Sequence, residues 1–196
     1  VERSRGLGDV YKRQPLLRGE FAFALFDRDE DCLYLVRDRF GVKPQYWTMT
    51  PDGLVFGSEL KVLFAHPAVE RRFTSEGLFH QLMQTMVPGT TAFAGVHQVK
   101  PGHVLKVQRT GEHLDVSEWA YWDVNFPRQS ERDSSLTEAD HVAAVRAALL
   151  EAVEMRMVAD VPVGCYLSGG IDSCSILGLA SAVSQSPVKA LSLIHI

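Results

Sequence analysis

The sequence predicts two architectures in succession: an α+β region, then the opening of an α/β domain with a doubly wound sheet. Two observations support this prediction. Residues 21–58 alternate short apolar runs with tight turns, as antiparallel hairpins do. Residues 137–193 run in the order helix, strand, glycine turn, helix, strand, and a doubly wound parallel sheet begins in this order.

The composition indicates a globular protein. Of 196 residues, 46% are hydrophobic and 22% are charged, so a core can form. The net charge of −4 argues against nucleic acid as a partner, and no apolar run is long enough to span a bilayer. The three cysteines, Cys32, Cys165 and Cys174, lack the spacing of a metal site or a disulfide framework. We therefore expect a cytoplasmic protein with neither a membrane nor a nucleic-acid partner.

The two ends, residues 1–14 and 191–196, are predicted to be translated adapter DNA. Residues 9–14 read DVYKRQ, which the codons GAT GTG TAT AAG AGA CAG encode, and the reverse complement of these codons encodes the terminal LSLIHI. One inverted repeat, which resembles the transposon end used to build sequencing libraries, explains both ends. We expect residues 15–190 to carry the fold, because such scars lie outside it.

Residues 15–124 are predicted to form a β-rich first domain. Strands are expected at residues 21–27, 32–38, 45–50, 54–58 and 103–108, with helices at 59–65 and 75–86. Ser75 is the expected N-cap of the second helix. The apolar side chains expected in the core of the first strand are Phe21, Phe23, Leu25 and Phe26.

Residues 125–136 are polar and are predicted to be a linker to a second domain at 137–190. Thr137 is the expected N-cap of a helix, because an apolar stripe with a 3.6-residue period follows it. Val161–Leu167 is expected to be a buried parallel strand, followed by a helix over Ile171–Val183 and a strand over Val188–Leu193. The stripe consists of Val142, Val145, Leu149, Val153 and Met157.

The motif LSGGIDS, at Leu167–Ser173, is the strongest chemical signal. Its predicted place between a strand and a helix puts glycine N–H groups, two hydroxyls and a helix N-terminus at one point, which suits a pyrophosphate. Asp172 is expected either to cap the helix or to hold Mg²⁺ against the phosphates. The alternative is a structural glycine turn with Ser and Asp caps. The predicted ATP and pyrophosphate ligands are Leu167, Ser168, Gly169, Gly170, Asp172 and Ser173.

This motif resembles the PP-loop of ATP pyrophosphatases. Upstream, the segments at residues 18–27, 36–47, 56–63 and 100–107 resemble the later part of a class II glutaminase domain. Residues 159–173 are similar to the entry of the asparagine synthetase ATP site. The resemblance implies a partial Ntn-type glutaminase sandwich followed by the start of a PP-loop domain.

The resemblance also implies a reaction, in which aspartate, ATP and glutamine yield asparagine, AMP, pyrophosphate and glutamate through a β-aspartyl-adenylate. ATP and Mg²⁺ are the implied cofactors, and the intact enzyme is expected to be a homodimer. We expect no catalytic residue within this chain and no activity from it alone, because class II glutaminases use an N-terminal cysteine. Two alternatives stay open: a β-lactam-synthetase-like or other amidotransferase on the same two domains, or a non-catalytic nucleotide-binding module.

The remaining polar and sulfur-containing residues are expected to be structural. Arg37, Asp38, Arg39 and Lys43 are predicted to form a charged turn with surface ion pairs. Cys165 and Cys174, on either side of the motif, are predicted to be small buried hydrophobes.

Overall fold

The structure, a computed structural model, describes residues 17–85, 87–131 and 135–192. The chain divides into two compact units, Val1–Asn125 and Phe126–Ile196. Residues 1–14 and 193–196, which belong to the predicted adapter segments, lie outside the described residues. The finer domain boundaries stay predictions.

The first unit is built mainly from antiparallel strands. One sheet has four strands in the order β1-β2-β6-β7, and a second has three in the order β4-β3-β5. Both predicted hairpins are confirmed. The elements, in chain order, are β1 (Ala22–Asp27), β2 (Cys32–Arg37), β3 (Tyr46–Thr50), β4 (Gly53–Gly57), α1 (Leu60–Leu63), α2 (Ser75–Leu82), β5 (His97–Gln98), β6 (His103–Thr110) and β7 (His113–Ala120).

Strand β7 is absent from the sequence prediction. Its residues HLDVSEWA include Asp115 and Ser117, which have low strand propensity, and no long apolar run marks it. Pairing with β6 along the whole strand stabilises it, from His113 opposite Thr110 to Ala120 opposite His103. Tertiary pairing therefore overrides local preference here.

The four-stranded sheet has an apolar cluster on each face, because alternate residues of a strand point to opposite sides. On one face Leu35 and Leu105 pack with Trp47 and Leu54 of the smaller sheet, so the two sheets share a core. On the other face Tyr34 and its neighbours in the cluster pack against side chains of β1 and β7. The buried members of that second cluster are Cys32, Tyr34, Val36 and Val104, and partly buried Phe21, Phe23, Leu25, Trp119 and Tyr121 pack against them.

Two predictions about the first unit are wrong in detail. Phe26 is 50% exposed rather than in the core, because β1 is an edge strand and its side chains have a strand neighbour on one side only. The N-cap of α2 is Thr74 rather than Ser75. Thr74 has extended backbone, and its hydroxyl accepts a hydrogen bond from the Gly77 N–H at 3.0 Å, whereas Ser75 is already helical.

Asp38 anchors the turn that follows β2 from the inside. It is 1% exposed, and its carboxylate accepts hydrogen bonds from four backbone N–H groups. These donors belong to Phe21 (3.3 Å), Phe40 (3.1 Å), Val42 (3.0 Å) and Lys43 (2.9 Å). A carboxylate can be buried when its charge is satisfied in this way. The prediction of a surface ion pair is therefore wrong for Asp38.

Arg37 is buried next to Asp38. Its guanidinium binds backbone carbonyl oxygens, whereas the Asp38 carboxylate binds backbone N–H groups. Its guanidinium donates to the carbonyls of Lys43 (2.9 Å), Val99 (2.7 Å) and Gly41 (2.5 Å). Burial lowers the pKa of Arg37, and the charge of Asp38 opposes that shift. Gly41 has φ of 64°, and a Cβ there would lie 2.8 Å from the Arg37 guanidinium carbon, so the turn requires glycine.

The other two charged residues of this turn, Arg39 and Lys43, are less buried than this pair. Lys43 forms an ion pair with Glu20 at 3.2 Å, and more than half of its side chain is exposed, as predicted. The guanidinium of Arg39 lies over the ring of Trp122, 5.7 Å from its centroid. The four residues therefore divide into a buried pair, which organises the backbone, a half-buried Arg39 and an exposed Lys43.

The hydroxyl of Tyr121 joins this network and makes the stability of the first unit sensitive to high pH. It donates to the Arg37 carbonyl at 2.9 Å, and burial, with a smaller effect of Asp38, raises the pKa of Tyr121 from 10.0 to about 12. The folded state thus keeps this proton at pH values where the unfolded state loses it, so stability falls as pH rises through this range.

We expect the free-energy advantage of the wild type over Tyr121→Phe to shrink between pH 10 and about 12, as measured by urea unfolding at each pH. Tyr166→Phe is the control, because Tyr166 is exposed and belongs to the second unit. A difference between wild type and Tyr121→Phe that stays constant over this range would contradict the prediction.

The second unit contains two helices and a pair of parallel strands. Strand β8 pairs with β9 in parallel, with Cys165 opposite Ala190, and a helix connects them. A short 3₁₀ turn at Gln129–Glu131 lies within the predicted linker. The remaining elements, in chain order, are α3 (Glu138–Met157), β8 (Gly164–Tyr166), α4 (Ile171–Val183) and β9 (Lys189–Leu191).

Thr137 is confirmed as the N-cap of α3. Its hydroxyl and the Asp140 carboxylate form a reciprocal capping box, and the hydrogen bonds from Thr137 lower the pKa of Asp140. The prediction of a buried strand over Val161–Leu167 is wrong in bounds and burial, because β8 spans only Gly164–Tyr166 and both Val161 and Tyr166 are exposed. Cys174 is exposed as well. The buried side chains of this unit include Val153 and Ala180.

Cys165 is half-buried, so neither Cys165 nor Cys174 is fully buried, although both were predicted to be. A strand of three residues, paired on one side by β9, has too few neighbours to be enclosed. Across the described ranges, no helix has both the length and the hydropathy that crossing a membrane requires.

Candidate functional site

The motif predicted from the sequence lies at the turn between β8 and α4. Strand β8 ends at Tyr166, and the Leu167 N–H donates to the Leu191 carbonyl at 2.8 Å, which continues the parallel ladder by one residue. Gly169 then takes φ of 83°, a left-handed conformation that side chains disfavour. The chain can therefore reverse within three residues and enter α4 at Ile171.

Two serine hydroxyls meet across this turn. The Oγ atoms of Ser168 and Ser173 lie 3.0 Å apart, and the Ser168 N–H lies 3.3 Å from Ser173 Oγ. Ser173 Oγ also lies 3.0 Å from the Gly170 carbonyl, and the Gly170 N–H lies 3.4 Å from Ser168 Oγ. These hydrogen bonds between polar groups of the loop hold its shape. Ser168, Gly170 and Ser173, three of the predicted ligands, take part in them, and Gly169 lies between the first two.

Asp172 stands apart from the serine network. It is the second residue of α4, and the N-cap position is occupied by Gly170, so Asp172 is not the capping residue. Its carboxylate in the first turn interacts favourably with the helix dipole. No group of three or more His, Cys, Asp or Glu residues in the described ranges could hold a metal ion. One exposed carboxylate nevertheless fits Mg²⁺ that takes its other ligands from phosphate and water.

The loop offers hydrogen-bond donors to solvent. Ser168, Gly169, Gly170 and Asp172 are exposed, whereas Leu167 and Ser173 are half-buried. The N–H groups of the first helical turn have no acceptor within their helix, and the dipole gives this end a partial positive charge. Such an arrangement can bind an anion with several oxygens.

The sequence brings these predicted residues together by itself, because they are neighbours in the chain. It does not show the serine pairing or the hydrogen bond to Leu191. The spacing of five residues between the serines, across two glycines, was the available signal for that pairing.

Comparison with known families matches the two units separately. The family model for the glutamine amidotransferase domain matches residues 8–122, and the model for asparagine synthase matches residues 144–194. The second match includes the whole of the motif at residues 167–173. The first match covers more than half of the chain.

Relatives match along most of the chain. Asparagine synthetase [glutamine-hydrolyzing] 3 of Bacillus subtilis is 37% identical over 176 residues, which is 89% of this chain and 27% of the relative. Amidase chry2 of Gibberella zeae is 39% identical over 173 residues, 88% of this chain and 25% of the relative. The chain therefore spans about a quarter of the length of these relatives.

Among solved structures, the glutamine phosphoribosylpyrophosphate amidotransferase of B. subtilis aligns with 97% of this chain and 36% of its own, with a TM-score of 0.39 and 14% identity. That similarity is too low to establish a shared fold. The sequence matches decide the family: residues 144–194 match the asparagine synthase model, and by its longer match the chain belongs to the glutamine amidotransferase family.

Proposed function

We propose that this chain is part of a glutamine-hydrolysing asparagine synthetase. The observation that carries the proposal is the LSGGIDS loop, placed between a parallel strand and a helix inside the segment that the asparagine synthase model matches. The preceding amidotransferase match supports glutamine as the source of nitrogen. Aspartate, ATP and glutamine are the proposed substrates, and asparagine, AMP, pyrophosphate and glutamate are the products.

The loop is proposed to bind the β- and γ-phosphates of ATP as a PP-loop within a doubly wound domain. The backbone N–H groups around Gly169 and Gly170, with the hydroxyls of Ser168 and Ser173, supply neutral donors to the phosphate oxygens. Asp172 is the proposed contact for Mg²⁺, which neutralises phosphate charge when it is bound. Fixing these phosphates leaves the α-phosphorus accessible to the substrate carboxylate.

Adenylation explains why an amide-forming enzyme needs this site. A free carboxylate resists attack by ammonia, and transfer of AMP to it creates an electrophile with a good leaving group. The first unit, proposed to be part of an Ntn-type sandwich, belongs to the domain that releases ammonia from glutamine. We further propose that the enzyme is cytoplasmic, homodimeric when intact, and without a nucleic-acid or membrane partner.

A second candidate is an amidotransferase that activates a carboxylic acid other than aspartate. The 39% identity to a protein named amidase chry2, slightly above that of the Bacillus synthetase, favours keeping this candidate. It shares the ATP chemistry of the loop and differs only in the acid.

The test is to recover the flanking DNA, express the complete reading frame and assay the purified protein. We expect asparagine and pyrophosphate to form in equal amounts from aspartate, ATP and glutamine. Ser168→Ala is expected to reduce pyrophosphate formation about tenfold or more, because it removes a donor to a charged group. Ser175→Ala is the matched control, since its hydroxyl bonds to the Ile171 carbonyl and lies outside the motif.

Pyrophosphate formation with another acid, but not with aspartate, would favour the second candidate. No pyrophosphate with any acid would contradict both. The sequence of the recovered flanking DNA also tests whether the two ends of the chain are translated adapter, as predicted.

A further inference from the structure

Helix α2 turns its apolar side chains away from the first unit. Gly77 marks the packed face of the helix, since a Cβ at this position would lie 2.7 Å from the Thr91 carbonyl oxygen. With 3.6 residues per turn, Phe79, Leu82 and the C-cap residue Met83 lie on the opposite face. Their exposed fractions are 60%, 74% and 59%. An amphipathic helix normally packs its apolar face against a core, so this orientation indicates that the face contacts another surface.

The exposed face of α2 carries no charged side chain. Leu78, which is 40% exposed, extends it on one side, and we call Leu78, Phe79, Leu82 and Met83 the outer face. The only carboxylate of α2 belongs to Glu76 and lies 3.8 Å from Nε2 of the half-buried His80, beside the packed face. A face without charge does not repel an identical face, and it offers no group that a charged partner would recognise. Its most compatible partner is therefore its own copy.

The outer face has the size that a small symmetric interface needs. Side chains of this size that are 40–74% exposed leave roughly 100–150 Å² of surface each, which gives about 400–600 Å² per copy. Two copies would then bury about 800–1,200 Å², at the lower end of specific interfaces. We propose that the outer face of α2 is a contact between two copies of this chain across a two-fold axis. This inference rests on the proposed homodimeric state of the enzyme and names the surface that forms it.

Leu82, the most exposed member of the outer face, is the position at which charge should separate the two copies. Leu82→Glu places two carboxylates in one apolar contact, so we expect the dimer to weaken roughly thirtyfold or more. Leu82→Lys should have the same effect, because it places two ammonium groups there. An equimolar mixture of the two variants should regain the dimer, since each carboxylate then meets an ammonium group.

The experiment measures, by sedimentation equilibrium, the mass of the protein expressed from the complete reading frame. At one protein concentration we expect twice the mass of a single chain for the wild type, the mass of a single chain for each Leu82 variant, and twice that mass for their mixture. Val42→Glu is the matched control and should sediment as the wild type, because Val42 is 51% exposed in the first unit and lies outside the outer face. Circular dichroism shows that each variant is folded.

The outcomes separate this inference from the function on which it rests. A wild type with the mass of a single chain would overturn the inference, and so would a Leu82→Glu variant with the mass of a dimer. Variants that lose association and do not regain it on mixing would show that the outer face contacts a different surface, which also overturns it. Asparagine formation is assayed on the same samples. A single chain that forms asparagine contradicts only this inference, and a dimer that forms no pyrophosphate with any acid contradicts only the proposed function.

Discussion

Asp38→Ala is expected to lower the free energy of unfolding of the first unit by roughly 3–5 kcal/mol, the cost typical of removing one member of a buried charged network. The carboxylate is 1% exposed and accepts four backbone hydrogen bonds. Alanine would leave those donors without an acceptor inside the protein. It would also leave the buried guanidinium of Arg37 without the neighbouring negative charge that opposes its pKa shift.

Urea unfolding monitored by tryptophan fluorescence measures this effect, because all three tryptophans, Trp47, Trp119 and Trp122, lie in the first unit. Asp38→Asn, which keeps one oxygen acceptor, is expected to lose about half as much. Asp52→Ala is the control, since its side chain is 79% exposed, and is expected to change stability by about 0.5 kcal/mol or less. Equal losses for Asp38→Ala and Asp52→Ala would show that the buried network contributes little.

Alanine at two glycines of the second unit is expected to have opposite effects. Gly169 has φ of 83°, and alanine there should cost roughly 1–2 kcal/mol of backbone strain in the loop. Gly178 lies within α4, where an added Cβ meets nothing within 4 Å, and alanine there should stabilise the helix by roughly 0.5–1 kcal/mol. The two variants add the same methyl group at positions nine residues apart on the same strand–turn–helix segment.

The two variants, Gly169→Ala and Gly178→Ala, should differ most clearly in their affinity for pyrophosphate. Strain of this size in a loop that must keep its N–H groups aligned corresponds to a loss of roughly tenfold in affinity for Gly169→Ala. Gly178→Ala should bind as the wild type does and show slightly higher helicity by circular dichroism. Unchanged affinity in Gly169→Ala would mean that the left-handed turn is not required for anion binding.

In the turn after β2, the amino-acid sequence predicts the turn itself but not the burial of its side chains. The charged residues, the glycine and the proline of RDRFGVKP indicate a turn correctly. These residue types do not indicate that the side chains of Arg37 and Asp38 are buried. Their hydrogen-bond partners are backbone groups, and some of these are distant in the chain. The Val99 carbonyl is 62 residues from Arg37 and comes within reach only when the first unit folds.

The sequence by itself determined the features that depend on neighbours in the chain. These include the hairpins of the first unit, the N-cap at Thr137, helix α4 with its predicted bounds, and the strand–glycine–helix motif that carries the proposed chemistry. Hydrophobic period and turn chemistry act over a few residues, so they can be read locally.

Only the tertiary structure decided the features that depend on distant partners. Strand β7 forms because β6 pairs with it. The exposure of Phe26 follows from the edge position of β1. Asp38 is buried because separate backbone segments donate hydrogen bonds to its carboxylate. The physical reason is common to all three, since burial and pairing are properties of where a residue lies in the assembled fold, and residue type constrains them only weakly.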